Sequence, residues 1–308
     1  MIEKGETMIK KIMKASAIAT VAAVMLNAAS YNTQAEKDRM ALRDYMMKKF
    51  SNPIQNRAKF FPYATDKELH DGSLVPAKSI DSFRLGTYAF AKNAKEQYDD
   101  IKEMPPYLDN IDAGEEIYNS NAAIKKCFPN PAIVQNYPMF DDAKGKVVTL
   151  TGAINNCLKA AGQKPWGWTK GKIADLEAYF ASKSQEAGKR IDIKINSKAA
   201  QAAYERGKKE YYSQRGYLKL ACATCHVQGS GQRVRAEYLS PLLGATTHFP
   251  VYRLKWQGLG TLERRIKGCE KNQGETPHKP NGQWTAEMLY FMAYMSNGLP
   301  IDGPDIRK

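Results

Sequence analysis

The chain has 308 residues, 46 basic against 32 acidic side chains, and a formal net charge of +14. That length exceeds one small domain and points to two. The positive field attracts small anions and acidic protein surfaces, whereas the dispersal of the basic residues argues against nucleic acid as a partner.

Met8 to Ala35 reads as a secretory signal. Lys10, Lys11 and Lys14 form a basic start, Ala15 to Ala29 is an apolar run, and Thr33-Gln34-Ala35 offers small residues to a signal peptidase. This run of fifteen residues falls short of the roughly 18 to 20 that span a bilayer. Cleavage is therefore expected over anchoring, with residues 1–35 as the signal peptide. No membrane span follows it, and the expected compartment is the periplasm. Losing residues 1–35 removes four lysines and two acids, leaving 42 basic and 30 acidic residues, a charge of +12.

Between Ala35 and Phe50 the spacing of Met40, Leu42, Tyr45, Met46 and Phe50 predicts a helix. Asp81–Tyr98 reads as a loop leading into a second helix or a short strand. His70 sits among loop-forming neighbours and is assigned no role.

The sequence then repeats itself. At a constant offset of 112 residues, Tyr137-Pro138-Met139-Phe140 matches Phe249-Pro250-Val251-Tyr252, Thr149-Leu150 matches Thr261-Leu262, and Cys157 matches Cys269. Ala174, Ala181 and Ser184 likewise match Ala286, Ala293 and Ser296. Upstream, the segments opening on Gly114 and Gly207 resemble each other, and each leads to a cysteine, Cys127 or Cys222. Such self-similarity is the mark of a duplicated domain.

In the second copy that cysteine opens Cys222-Ala-Thr-Cys225-His226, the attachment motif of a c-type haem. Thiols three residues apart on one helical turn can each form a thioether to a vinyl group. The following imidazole then lies under the iron as an axial ligand. A zinc site would need a second ligand pair at suitable spacing, and none is present. The first copy has Cys127-Phe-Pro-Asn-Pro131 instead and so no haem site. After export, its cysteines Cys127 and Cys157 are expected to form a disulfide, worth roughly 3–4 kcal/mol for a loop of about 30 residues. The expected fold is all-α: two tandem cytochrome c-like domains, the first without haem and held by the disulfide. The boundaries are 36–190 for the first domain with its N-terminal extension and 191–308 for the haem-binding domain.

Within the second domain, Ala199–Arg215 reads as a helix leading to the haem motif. Thr285 is placed as the N-cap of a terminal helix whose Met288, Met292 and Met295 belong to the core. The second iron ligand should come from between motif and terminal helix, where the donors are His248, Cys269 and His278. Cys269 stands out as the odd thiol once a disulfide and two thioethers are counted. Arg265, four residues earlier, shares its helical face, and nearby cations favour the thiolate that ligates iron and attacks sulfur.

The segment Phe249-Pro-Val-Tyr-Arg-Leu-Lys-Trp-Gln-Gly-Leu-Gly-Thr-Leu-Glu-Arg-Arg-Ile-Lys-Gly-Cys269, following the haem motif in a duplicated chain, resembles the SoxA cytochromes of bacterial thiosulfate oxidation. The resemblance implies an L-cysteine S-thiosulfotransferase formed with a small cytochrome subunit, SoxX, that oxidatively joins thiosulfate to a cysteine of the SoxYZ carrier. It implies one covalently bound haem c held by Cys222 and Cys225, with His226 as proximal iron ligand. It also implies Cys269 as distal ligand and as a catalytic cysteine found as a persulfide, and Arg265 as the residue binding thiosulfate. Some members carry two haems; lacking Cys-x-x-Cys-His in its first copy, this chain resembles the one-haem type, where a disulfide takes that place.

Two other readings compete with the enzyme. In one the chain is an electron-transfer cytochrome with His248 or His278 as second ligand and a structural Cys269. In the other an open sixth position binds a small gas.

Overall fold

The computed structural model describes residues 31–234 and 237–307. Apart from its last residues, the expected signal peptide lies outside the described part. Helix α1 (Thr33–Lys49) is followed by the short α2 (Arg57–Phe60) and α3 (Asp66–His70), a 3-10 stretch at Ile80–Ala89, and α4 (Lys92–Lys102). The first copy contains α5 (Leu108–Ser120), α6 (Ala122–Cys127), β1 (Met139–Asp141), β2 (Lys146–Val148), α7 (Leu150–Ala160) and α8 (Lys172–Glu186). The second contains α9 (Lys198–Tyr212), β3 (Arg233–Val234), β4 (Glu237–Tyr238), β5 (Val251–Arg253), β6 (Gly258–Gly260), α10 (Leu262–Asn272) and α11 (Gln283–Met295), and the chain ends in β7 (Asp305–Arg307). No helix among the described residues is long and apolar enough to cross a membrane.

The two copies are built alike. Helices α5 and α8 cross in the first, α9 and α11 in the second, and a glycine permits each crossing. A Cβ on Gly114 would stand 2.0 Å from the Asp175 carbonyl oxygen, and one on Gly207 would stand 2.0 Å from that of Glu287. Asp175 and Glu287 are themselves 112 residues apart. Helices α7 and α10 have the same length and the same cap. The Thr149 hydroxyl accepts from the Gly152 N–H at 3.1 Å, and that of Thr261 from the Arg264 N–H at 3.3 Å, which satisfies a donor left open at a helix start.

Helix dominates, but the all-α expectation needs correction, because the described residues form three small sheets. Strands β1 and β2 pair antiparallel, as do β3 and β4, while β5 lies between antiparallel β6 and parallel β7. Val251, Leu259 and Ile306 bury one residue from each strand of the last sheet, and such β-branched and aliphatic residues suit a half-buried pleated surface. The Asp305–Arg307 tail contributes β7 through its register with β5 (Val251 with Asp305, Arg253 with Arg307).

The N-terminal extension supplies an unexpected part of the core. Met46, Phe50, Phe61, Phe83 and Phe90 are fully buried in one cluster with α9, α11 and Leu242. Phe50 stacks on Phe90 with ring centroids 4.0 Å apart. The first copy has its own cluster around Ile154, Leu158, Ile173 and Phe180. Met288, Met292 and Met295 are buried as expected. Thr285 is not the N-cap of α11: Gly282 takes that position, and the Thr285 hydroxyl donates to the Lys279 carbonyl at 3.0 Å. The Cys127–Cys157 disulfide is present, joining the end of α6 to α7 with 6.2 Å between the α-carbons.

Candidate haem and sulfur site

Cys222, Cys225 and His226 lie on one short helical turn that closes as a π-type turn over Thr224–Gln228. Both ends of this turn are held. At its start, the Ala221 N–H donates to the Thr224 hydroxyl at 3.2 Å. At its end, the ammonium of Lys49, delivered by α1, donates to the Gln228 carbonyl at 2.6 Å and lies 5.4 Å from the Phe61 ring centre. Lys49 is fully buried, and burial pushes its pKa down to about 8.

The His226 Nδ1 meets the Ser240 carbonyl at 2.7 Å. A partner at that nitrogen fixes the ring, as the outer partner of a metal-ligating imidazole does. The imidazole also makes a side-chain hydrogen bond with Cys269, which α10 carries. Tyr211, fully buried beside Cys222, Cys225 and Cys269, backs the group.

The three thiols have different electrostatics. Burial pushes the Cys222 thiol up to about 12, and burial together with the charge of Cys269 raises Cys225. Burial acts on Cys269 in the same direction, yet Arg265, His226 and Arg253 overcome it and bring the thiol down to about 7. Cys269 is thus the sulfur poised to be an anion. Of the three donors weighed in the sequence, it is the one placed against His226. His278 stacks on Trp284 at 3.6 Å and its Nδ1 meets the Glu270 carboxylate at 2.8 Å. His248 is buried, and burial followed by the charge of Arg307 keeps it neutral.

The donor set therefore fits a c-type haem: two thiols three residues apart, an imidazole held at Nδ1, and a further thiol beside it with anionic character. Sequence reasoning missed Lys49, Ser240 and Arg253. Arg253 had a signal, being a charged residue between Val251 and Leu254 in a strand-like run. Lys49 and Ser240 had none, because Lys49 depends on where a backbone carbonyl of the haem turn lies and Ser240 acts through its own backbone carbonyl.

A family model described as SoxA/TsdA, cytochrome c domain matches residues 113–188 and again 206–301, one match per copy. The chain belongs to this family. Haem c is accordingly its class of cofactor. The L-cysteine S-thiosulfotransferase subunit SoxA of Chlorobaculum tepidum is 43% identical over 76% of this chain and 82% of its own length. The subunit of the same name from Allochromatium vinosum is 43% identical over 84% of this chain and 91% of its own. Among solved structures, SoxXA from P. pantotrophus matches with a TM-score of 0.62 and 25% identity, covering 69% of this chain and 84% of that one.

Proposed function

We propose that this chain is the c-type cytochrome subunit of a periplasmic L-cysteine S-thiosulfotransferase, working with a SoxX-like cytochrome and a SoxYZ-like carrier. The observation that carries the reading is the placement of Cys269 against the imidazole of the haem motif and on the helix face of Arg265, whose charge with that of His226 brings the thiol down to about 7. Cys222 and Cys225 would hold one haem c covalently, with His226 and Cys269 as the residues that would ligate its iron. When bound, that group would supply a one-electron acceptor, and a second cytochrome in the partner would complete the two-electron demand.

The chain's own residues handle the sulfur. Arg265 binds the thiosulfate dianion by charge-assisted hydrogen bonds. The Cys269 anion forms a sulfur–sulfur bond to its outer sulfur, giving Cys269–S–SO3⁻ and releasing two electrons. A carrier thiolate then attacks the outer sulfur, takes the S–SO3⁻ group and restores the Cys269 anion. The sum is carrier–SH plus S2O3²⁻ giving carrier–S–S–SO3⁻, one proton and two electrons. The copy spanning residues 36–190 carries no haem and is held by its disulfide, residues 191–308 carry the haem, and residues 1–35 are removed on export.

Cys269→Ala is the deciding variant. Thiosulfate-dependent turnover should be abolished while the covalent haem absorbance persists, and intact mass of the native protein should show one haem, with an extra sulfur on Cys269 if a persulfide is stored. Retained turnover in this variant would return the chain to the class of plain electron carriers.

A further inference from the structure

Two carboxyl groups that the sulfur chemistry does not use meet where the two copies join. Glu177, on α8 of the first copy, is 6% exposed, and Glu263, at the start of α10 in the second, is 3% exposed. Their partners are buried threonines. The Glu263 carboxyl bonds the hydroxyls of Thr149, Thr151 and Thr261, and Thr149 and Thr261 are the caps of α7 and α10. The starts of these two helices therefore meet at one carboxyl group. Thr151 also bonds the Glu177 carboxyl, so both acids sit on the same hydroxyl.

A hydroxyl has one hydrogen to donate. Thr151 gives its own to Glu177, and Thr261 gives its own to the Trp168 carbonyl at 2.9 Å. Neither has one left for Glu263, so the bonds it makes to them call for a proton on the carboxyl. Electrostatics asks for the same proton. Burial, followed by the charge of Glu263, pushes Glu177 well above the ordinary carboxyl range, and burial raises Glu263. Two helix starts favour one negative charge there, and a second would be buried beside it. The other charged groups on the surrounding elements are engaged elsewhere or exposed. Arg264 on α10 donates to the Leu259 carbonyl at 3.1 Å, and Asp175 on α8 accepts from Asn110 at 2.7 Å. Arg265 bears on Cys269. Lys159 of α7, Lys170 and Lys172 before and at the start of α8, and the acids of α5 are exposed. Strand β6 has no titratable side chain.

We propose that Glu177 and Glu263 share one proton and, through Thr151, form the joint by which the first copy fixes α10, the helix that carries Arg265 and Cys269. Ionising both acids places two like charges in a buried site and drives the start of α10 away from α7 and α8. Glu177, Thr151 and Glu263 are thus positioning residues for the sulfur site. That last consequence rests on the thiosulfotransferase reading, whereas the shared proton does not.

The test uses the haem-loaded protein. Its infrared spectrum at about pH 7 should contain the carbonyl stretch of a protonated carboxylic acid, lost in the double variant Glu177→Gln with Glu263→Gln. The unfolded chain releases this proton above the ordinary 4.5 while the folded chain keeps it, so native stability falls as the pH rises from there to the pair's own pKa. Relative to the double variant, the native unfolding constant should rise by about tenfold per pH unit in that window, read by urea unfolding. With the cytochrome partner and carrier added and thiosulfate varied, Glu177→Ala should raise the KM for thiosulfate severalfold. Glu177→Gln should restore it, because the amide oxygen still accepts from Thr151. Absence of the carboxylic acid band in the native spectrum would overturn the shared proton even where a variant fails to fold, and so would a stability difference that ignores pH. An unchanged KM in Glu177→Ala would overturn the positioning role. Turnover surviving in Cys269→Ala would overturn the thiosulfotransferase reading and leave the joint standing on the infrared and unfolding results.

Discussion

The backbone of Gly207 runs against the carbonyl of Glu287 so closely that a Cβ would stand 2.0 Å from its oxygen, and Gly114 repeats the relationship with Asp175. This contact sets the distance between α9, which leads to the haem motif, and α11, whose Tyr290, Phe291 and Met295 fill the core behind it.

Gly207→Ala should therefore destabilise the chain by about 3 kcal/mol or more, since backbone rather than a flexible side chain must give way. Urea unfolding of the haem-loaded protein is the measurement. A midpoint within error of the native one would show that the helices can part without cost.

Lys49 predicts a pH dependence with a definite sign. Its folded pKa of about 8 lies below the ordinary 10.5 because burial disfavours the ammonium. Between those values the unfolded chain binds more protons than the folded one, so the contribution of Lys49 to stability rises with pH from about 8 to about 10.5. Comparing native protein with Lys49→Met cancels the other titrating groups. The stability difference should move in favour of the native chain by on the order of 2–3 kcal/mol across that window. A flat difference would mean that the amine is hydrated in solution.

Removing the disulfide with Cys127→Ala and Cys157→Ala should cost roughly 3–4 kcal/mol, the loop-closure value for a sequence separation of 30. Because the bond joins α6 to α7 in the first copy, the covalent haem content of the second should not change. Guanidinium unfolding and the pyridine haemochrome spectrum separate the two effects. Loss of haem in the double variant would show that the copies fold as one unit.

Arg265→Ala removes the opposing charge that acts most strongly on Cys269 and should raise the KM for thiosulfate by about tenfold or more. Steady-state kinetics with thiosulfate varied is the measurement, and an unchanged KM would remove Arg265 from the site.

Much of this was legible in the chain itself. Covalent spacing determines whether two thiols and an imidazole can serve one haem, so Cys222, Cys225 and His226 stand out in the sequence as candidates for that role. The offset of 112 residues carried over into paired helix caps at Thr149 and Thr261 and into matched crossings at Gly114 and Gly207, because a duplicated sequence repeats its local constraints. It also led to the Cys127–Cys157 bond. The cap of α11 was misplaced by three residues because a hydroxyl can find a partner other than its own helix, and Thr285 does. The strand at Asp305–Arg307 carried too short a pattern to read and exists through its pairing with β5. What only the tertiary structure decided are contacts between segments apart in sequence: Phe50 of the N-terminal extension on Phe90, Lys49 against the haem turn, and Ser240 against His226. No local periodicity encodes them. They follow from which surfaces exclude water together when the chain closes, and a buried charge such as Arg253 or Lys49 acquires its properties only from that closure.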